Sequence, residues 1–356
     1  MKVSFKDIAA KLTVSQNIIL SYINQYNEIL NVKIVDDNLY INEDTIKYFR
    51  IIKKKQREQK TNVEIKQALL QFKFKRNLEN YKINHNIDNE NFTSPLRFPG
   101  SKSKVISRFV PYFEENHLEY REPFLGGGSI FLGKAKAKYN LLNDWDENVY
   151  AFFLCVRDYP EELCKMVRET TPTVELWIEK KKKESYATIL EKGFDFLFFN
   201  RTNYSGIYTA NPIGGMSQSS KYPIDCRWNP DGICNNIIAC SKKLQGVELQ
   251  NLSFEEIILK PGKDVLMVVD PPYYHKGDSL YPVSMSHDDH IRLAQLLKNT
   301  NHKYLLTIDD CKETREIYIH EGCYINQENW YYTINSIQSG RLGKELFISN
   351  FNVAKI

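Results

Sequence analysis

Apolar positions along the chain follow two spacings, and the change from one to the other divides it. Residues 1–70 are mostly helical in period. Phe5 to Lys11 forms a short amphipathic segment, Thr13-Val14-Ser15 supplies a turn and a cap, and Ser15 to Gln25 carries Ile18, Ile19, Tyr22 and Ile23 at helical spacing. That order predicts two helices joined by a tight turn. Val32-Lys33-Ile34-Val35, Asp36-Asp37-Asn38 and Leu39-Tyr40-Ile41 then read as strand, turn and strand, the pattern of a wing. A helix over Glu43 to Gln59 ends in Lys53-Lys54-Lys55-Gln56-Arg57, and a further segment covers Val63 to Leu70. Residues 71–92 are rich in Asn and Lys with few apolar anchors, which predicts a linker.

From Leu96 onward short β-rich runs alternate with helical stretches. Candidate strands are Tyr120 to Phe124, Asn140 to Asn143, Val247 to Leu252, Val265 to Val269, Tyr304 to Ile308 and Leu346 to Phe351, and Ile130 to Lys138 reads as a helix. Such alternation predicts an α/β fold with a mostly parallel sheet whose ligand lies beyond the strand carboxyl ends. Between about residues 155 and 243 the alternation lapses into an insertion that ends in a Gly/Ser/Asn/Pro-rich stretch, and insertions this long usually carry function. The expected organisation is therefore a small winged-helix domain at 1–70, a linker at 71–92 and an α/β domain at 93–356.

At 356 residues the chain is long enough for two or three domains. It holds no apolar run of the ~18 residues that would span a bilayer, and Asp7 and Lys11 interrupt any signal segment, so a soluble cytoplasmic protein is expected. Seven cysteines with no C-x-x-C pair suggest reduced thiols and no metal. The net charge of +4 is unevenly placed: residues 1–92 hold 16 Lys+Arg against 11 Asp+Glu, leaving 32 against 33 elsewhere. A basic N-terminal quarter suits a polyanion, or simply a solvated helix face.

Chemistry concentrates at the predicted strand ends. The apolar run Leu266 to Val269 delivers Asp270-Pro271-Pro272-Tyr273. An exocyclic amine conjugated to a ring is a poor nucleophile and needs acceptors for its protons. Asp270 can accept one N–H and the Pro271 carbonyl the other, while the paired prolines lock the turn. Tyr273 offers a face for an extruded base. Upstream, Tyr120 to Ser129 is a strand running into Gly126-Gly127-Gly128 before a helix, which lets backbone approach a ligand closely. Asp144 ends the next strand, where an acid binds ribose hydroxyls.

With these motifs in this order, residues from Pro95 to the C-terminus resemble the Dam-type, α-class DNA adenine N6-methyltransferases, and residues 1–70 resemble MerR-like winged helix-turn-helix domains. The first resemblance implies a Rossmann-like class I methyltransferase fold with an inserted target-recognition region, S-adenosylmethionine as cofactor and double-stranded DNA as substrate. It implies that Asp270, Pro271, Pro272 and Tyr273 are catalytic. It also implies cofactor contacts from Phe98, Lys102, Pro123, Phe124, Gly126, Gly128, Asp144, Ser253, Phe254 and Asp270. Phe199-Asn200-Arg201-Thr202-Asn203-Tyr204-Ser205-Gly206 matches the start of the recognition hairpin, and Glu345-Leu346-Phe347 the closing strand. Arg201, Asn203, Tyr204, Ser205, Asn211, Gln218, Lys221 and Arg227 are the expected DNA-facing residues.

Two departures bear on specificity. Thr209 stands where GATC-specific members carry a guanine-reading Arg, and Ser205 where they carry an intercalating Asn, so another recognition sequence is expected. Ser253 replaces an acid before the aromatic that flanks the cofactor adenine. The second resemblance implies that Ser15 to Ile23 is a recognition helix for the major groove. A cognate restriction endonuclease, or an orphan regulatory role in a nucleoid-associated enzyme, both fit. Methylation of a protein glutamine or RNA adenine, and a regulator with a relic methyltransferase domain, are the alternatives.

Overall fold

Ser4, Ser15, Asn42 and Thr61 each precede a helix and accept a backbone N–H of its first turn. In the computed structural model, which describes residues 1–35, 38–85, 87, 92–275, 284–331 and 342–353, these caps start the helices Phe5–Leu12, Gln16–Leu30, Glu43–Arg57 and Asn62–Asn84. The helices close over a core that includes Ile8, Leu12, Ile19, Tyr22, Ile23, Phe49 and Leu69. Strands β1 (Lys2–Ser4), β2 (Lys33–Val35) and β3 (Asn38–Tyr40) form an antiparallel sheet in the order β1-β3-β2. The expected turn residues Asp36 and Asp37 lie outside the described residues. β1 is too short for its alternation to register in the sequence.

One expectation fails here. Residues 71–84, read as linker, are the second half of the helix Asn62–Asn84, with Phe74 and Tyr81 buried. Two large aromatics seven positions apart keep one stripe of the helix buried, while the Asn and Lys residues that suggested a linker occupy its other faces. Residues 86 and 88–91 of that expected linker lie outside the described residues.

The chain packs as two units, Met1–Ile87 and Asp88–Ala354. The second is built on β4 (Glu119–Glu122), β5 (Tyr139–Asn143), β6 (Glu248–Gln250), β7 (Val265–Val269), β8 (Lys303–Asp309), β9 (Tyr324–Tyr331) and β10 (Leu342–Ser349). Their order is β6-β5-β4-β7-β8-β10-β9. The five strands from β6 to β8 run parallel, and β10 is antiparallel to both β8 and β9. All five residues of β7 are buried, as its unbroken apolar run requires for a strand covered on both faces. Winding reverses between β4 and β7, and ligands of such sheets bind beyond the strand ends at that reversal.

β9 was not anticipated, because Tyr324 to Tyr331 is an edge strand rich in polar residues with no apolar alternation. The helix expected over Ile130 to Lys138 is only Ser129–Gly133. It stops where Gly133 meets Ile106, whose Cγ1 would lie 2.3 Å from an added Cβ. Between β5 and β6 the insertion is largely helical, with Glu147–Asp158, Pro160–Glu169, Val174–Lys181, Ile189–Thr202 and Pro230–Leu244. Among the described residues, no helix is long and apolar enough to cross a membrane.

Candidate active site

The carboxyl end of β7 places Asp270 on a cleft of about 300 Å³, at the lower end of the range for small-molecule sites. Its floor is the glycine turn after β4. Gly126 has φ +49°, and a Cβ there would lie 2.9 Å from the Phe98 ring; one on Gly127 would lie 2.7 Å from Phe98 Cβ. Phe98 therefore covers the turn only because the turn is glycine. Phe124 and Phe254 stack 5.6 Å apart on the cleft wall. Asp144, at the end of β5, lines the cleft and accepts the Gly126 N–H at 2.7 Å and the Asp146 N–H at 3.0 Å. Burial pushes its carboxyl up to about 7.

Behind the cleft lies a buried polar cluster. Lys102 donates to both oxygens of Asp270, at 2.8 and 3.0 Å, and to the Tyr273 hydroxyl at 3.3 Å. Thr307 donates to Asp270 at 2.5 Å. Tyr273 donates to Glu345 at 2.5 Å, and Lys102 stands 3.6 Å from the other Glu345 oxygen. Glu345 is fully buried, and burial raises its carboxyl to about 7. Sheet register explains the gathering. Glu345 pairs with Asp309 and Phe347 with Thr307, so Thr307 and Glu345 share one face of the sheet. Asp309 then accepts the Tyr274 N–H at 3.0 Å, tying the turn after the prolines to β8.

Beneath the glycine turn, Tyr120 donates to Glu122 at 2.6 Å. Burial raises Glu122 to about 8, and burial lowers the nearby Lys134 to about 7.

Of the expected cofactor residues, Phe98, Phe124, Gly126, Asp144, Phe254 and Asp270 line the cleft. Lys102, Pro123, Gly128 and Ser253 do not. Lys102 is buried against the carboxylates, the Pro123 carbonyl accepts from Asn143 at 2.9 Å, Gly128 packs against Phe153, and Ser253 caps the helix Phe254–Leu259. Of the expected catalytic residues, Asp270 and Pro272 line the cleft while Pro271 and Tyr273 are buried. Tyr273 is only 6% exposed, with the Lys102 ammonium 5.2 Å from its ring centroid. The sequence suggested a bare aromatic face; the structure engages the hydroxyl instead. Glu345 and Thr307 escaped sequence reasoning as site residues, the first appearing only as part of a closing strand.

The expected DNA-facing residues separate into two groups. Tyr204, Asn211, Lys221 and Arg227 are exposed, and Ser205 adopts φ +56° at the hairpin tip. Arg201 is partly buried and donates to the Pro95 carbonyl. Asn203 and Gln218 turn inward. Asn203 is fully buried, accepts from the Trp177 indole at 2.7 Å and donates to the Ile207 and Tyr208 carbonyls. Gln218 donates to the Ile213 and Gly215 carbonyls and accepts from the Ile224 N–H. Their amide groups hold the loop's shape and are not presented to a base.

A mostly parallel sheet that reverses its winding beside a glycine turn and strand-end acids is consistent with a Rossmann-like methyltransferase. Residues 98–334 match the D12 class N6 adenine-specific DNA methyltransferases, and the chain belongs to that family. It is an adenine-specific DNA methyltransferase. Type II methyltransferase M.MjaIII of Methanocaldococcus jannaschii is 24% identical over 57% of this chain and 78% of its own length. Type II methyltransferase M.CviBI of Paramecium bursaria Chlorella virus NC1A is 23% identical over 70% of this chain and 95% of its own. The DNA adenine methylase of Vibrio cholerae is 23% identical over 69% and 91%. Methyltransferases of this family use S-adenosylmethionine as donor.

Proposed function

We propose that this chain takes the methyl group from S-adenosylmethionine bound in the cleft and places it on N6 of an adenine turned out of duplex DNA. The cleft suits that donor. Gly126 and Gly127 let Phe98 lie directly on the turn at the cleft, Asp144 can accept ribose hydroxyls, and the stacked Phe124 and Phe254 offer a wall for an adenine ring. The bound cofactor would supply an electrophilic methyl group.

The single observation that carries the proposal is Asp270 on the cleft, held by Lys102 and Thr307. A carboxylate offers about four acceptor sites. Lys102 and Thr307 fill three through the hydrogen bonds described, leaving a lone pair on Oδ2 for an N–H of the amine. In this role Asp270 orients the nitrogen lone pair toward the methyl group and receives the proton that the methylated nitrogen sheds. Pro271 offers its carbonyl to the second N–H. Lys102, Thr307, Tyr273 and Glu345 are positioning residues for that carboxylate and its turn.

Sequence choice falls to the region from Asn200 to Trp228, with Arg201, Tyr204, Ser205, Asn211, Lys221 and Arg227 toward DNA and Asn203 and Gln218 shaping the loop. The N-terminal unit is a second DNA-binding element of winged helix-turn-helix type. Its helix Gln16–Leu30 exposes Asn17, Leu20, Ser21 and Asn24, and a groove on the same unit gathers Lys11, Arg50, Lys54 and Arg57. A partner endonuclease and a nucleoid location belong to the same reading. Sequencing that detects N6-methyladenine in DNA from cells expressing the protein tests it: methylation at one fixed motif is expected, and unmethylated DNA would refute it.

A further inference from the structure

His275, Cys311 and Glu313 belong to none of the motifs above, yet the sheet brings them together. β7 and β8 are parallel neighbours, so the segments that follow them leave the sheet at the same edge. His275 comes after the turn that ends β7, and Cys311 and Glu313 come just after β8. The metal-binding atoms of the three side chains all lie within 4.8 Å of one another, and His275 Nε2 stands 3.2 Å from a Glu313 carboxylate oxygen. Both segments are held in place by hydrogen bonds. The Tyr274 N–H donates to Asp309, and the Tyr274 hydroxyl shares a hydrogen bond with His287 Nδ1 at 2.9 Å. The Thr314 hydroxyl accepts the Cys311 N–H at 3.1 Å and donates to the Asp309 carbonyl at 2.7 Å. Linear spacing did not reveal the cluster, because Glu313 and His275 are 38 residues apart and no second cysteine marks it.

We propose that His275, Cys311 and Glu313 bind one divalent metal ion of the zinc class, which fastens the turn after the paired prolines to the end of β8. The donor set selects the ion. One imidazole nitrogen, one thiolate and one carboxylate suit Zn²⁺, whereas Mg²⁺ and Ca²⁺ take oxygen ligands. Cys311 binds as the thiolate, its proton passing to water. With metal–ligand bonds of about 2.0 to 2.3 Å, tetrahedral ligands sit roughly 3.5 Å apart. The His275–Glu313 pair already has that spacing, and the wider separations close by rotation of side chains that are not tightly packed. His275 is exposed and Cys311 and Glu313 are half-buried, which leaves a fourth position to water. An exposed His–Glu pair alone contributes little, so an ion shared by three side chains adds a tie that the pair does not supply. None of the three lines the cofactor cleft, and the site is independent of the proposed reaction.

The test titrates the reduced full chain, freed of metal by a chelator, with Co²⁺ as a coloured substitute for Zn²⁺. One equivalent should bind and give both the thiolate-to-cobalt charge-transfer band and the visible bands of a four-coordinate ion. Zn²⁺ should displace it with a Kd of about 1 μM or tighter. Cys311→Ser should abolish the charge-transfer band, and serine at this helix cap keeps the fold. His275→Ala and Glu313→Gln should each weaken affinity by at least about tenfold, the least that even loss of an outer partner costs. Zn²⁺ should also raise the thermal midpoint of the wild type and leave that of Cys311→Ser unchanged. Cys226→Ser removes an exposed thiol elsewhere and should change none of this. A wild type with no charge-transfer band would overturn the site, as would a band that survives in Cys311→Ser or is lost in Cys226→Ser. Full affinity in both His275→Ala and Glu313→Gln would overturn it too, by reducing the cluster to a lone thiol.

Discussion

The Tyr273 hydroxyl donates to the Glu345 carboxylate at 2.5 Å, joining the turn that carries Asp270 and the paired prolines to a strand 72 residues later. Lys102 contacts both partners and Asp270 as well. In the proposed mechanism Glu345 therefore positions the Asp270 carboxylate from a distance. E345Q is nearly the same shape but removes the charge facing Lys102. We expect kcat to fall by about a hundredfold, the scale of a misplacement near 1 Å, with KM for the cofactor little changed. Tyr273→Phe should lose a comparable part of that rate, because it removes the hydrogen bond that ties the turn to Glu345. A Tyr273→Phe enzyme at full rate alongside an impaired Tyr273→Ala would return the role to the aromatic face.

Much of this site was legible in the sequence, and its gaps have a common cause. Asp270 was findable because an apolar strand, an acid and two prolines are contiguous. Gly126 and Asp144 were findable because they end neighbouring strands at a set spacing. Glu345 and Thr307 join the site through the antiparallel register of β10 on β8, which the linear sequence does not state. Asn203 and Gln218 looked like base readers because composition reports which groups a loop owns and not which way they point. The helix Asn62–Asn84 hid its second half behind Asn and Lys residues, with only Phe74 and Tyr81 to mark the buried stripe.

Glu122 gives a stability test. Burial raises its carboxyl from 4.5 to about 8, so the folded chain keeps a proton that the unfolded chain releases. Its contribution is fully present below the unfolded value and is lost as pH rises through the folded one. Urea midpoints of the wild type should therefore decline from about pH 5 to about pH 8, and those of Glu122→Gln should decline less. Parallel curves for the two proteins would place the titration elsewhere.

The N-terminal unit gives a test by salt. Replacing Arg50, Lys54 and Arg57 together with Gln should leave cofactor affinity unchanged. DNA affinity should weaken, and the salt slope should fall by roughly 0.9 for each phosphate that these side chains no longer neutralise. An unchanged slope would remove this unit from DNA binding and leave it an oligomerisation or packing role.

In the proposed mechanism Asp270 serves the transfer, whereas cofactor binding rests mainly on the other residues of the cleft that it lines. Asp270→Asn keeps the side chain's size but gives up half its acceptor capacity and its charge toward Lys102. The most direct measurement compares N6-methyladenine in DNA incubated with wild-type and Asp270→Asn proteins, with cofactor affinity measured on both. The account predicts a fixed methylated motif for the wild type. It predicts loss of nearly all transfer in the variant, with cofactor affinity retained to within about tenfold. Turnover by Asp270→Asn close to that of the wild type would contradict it.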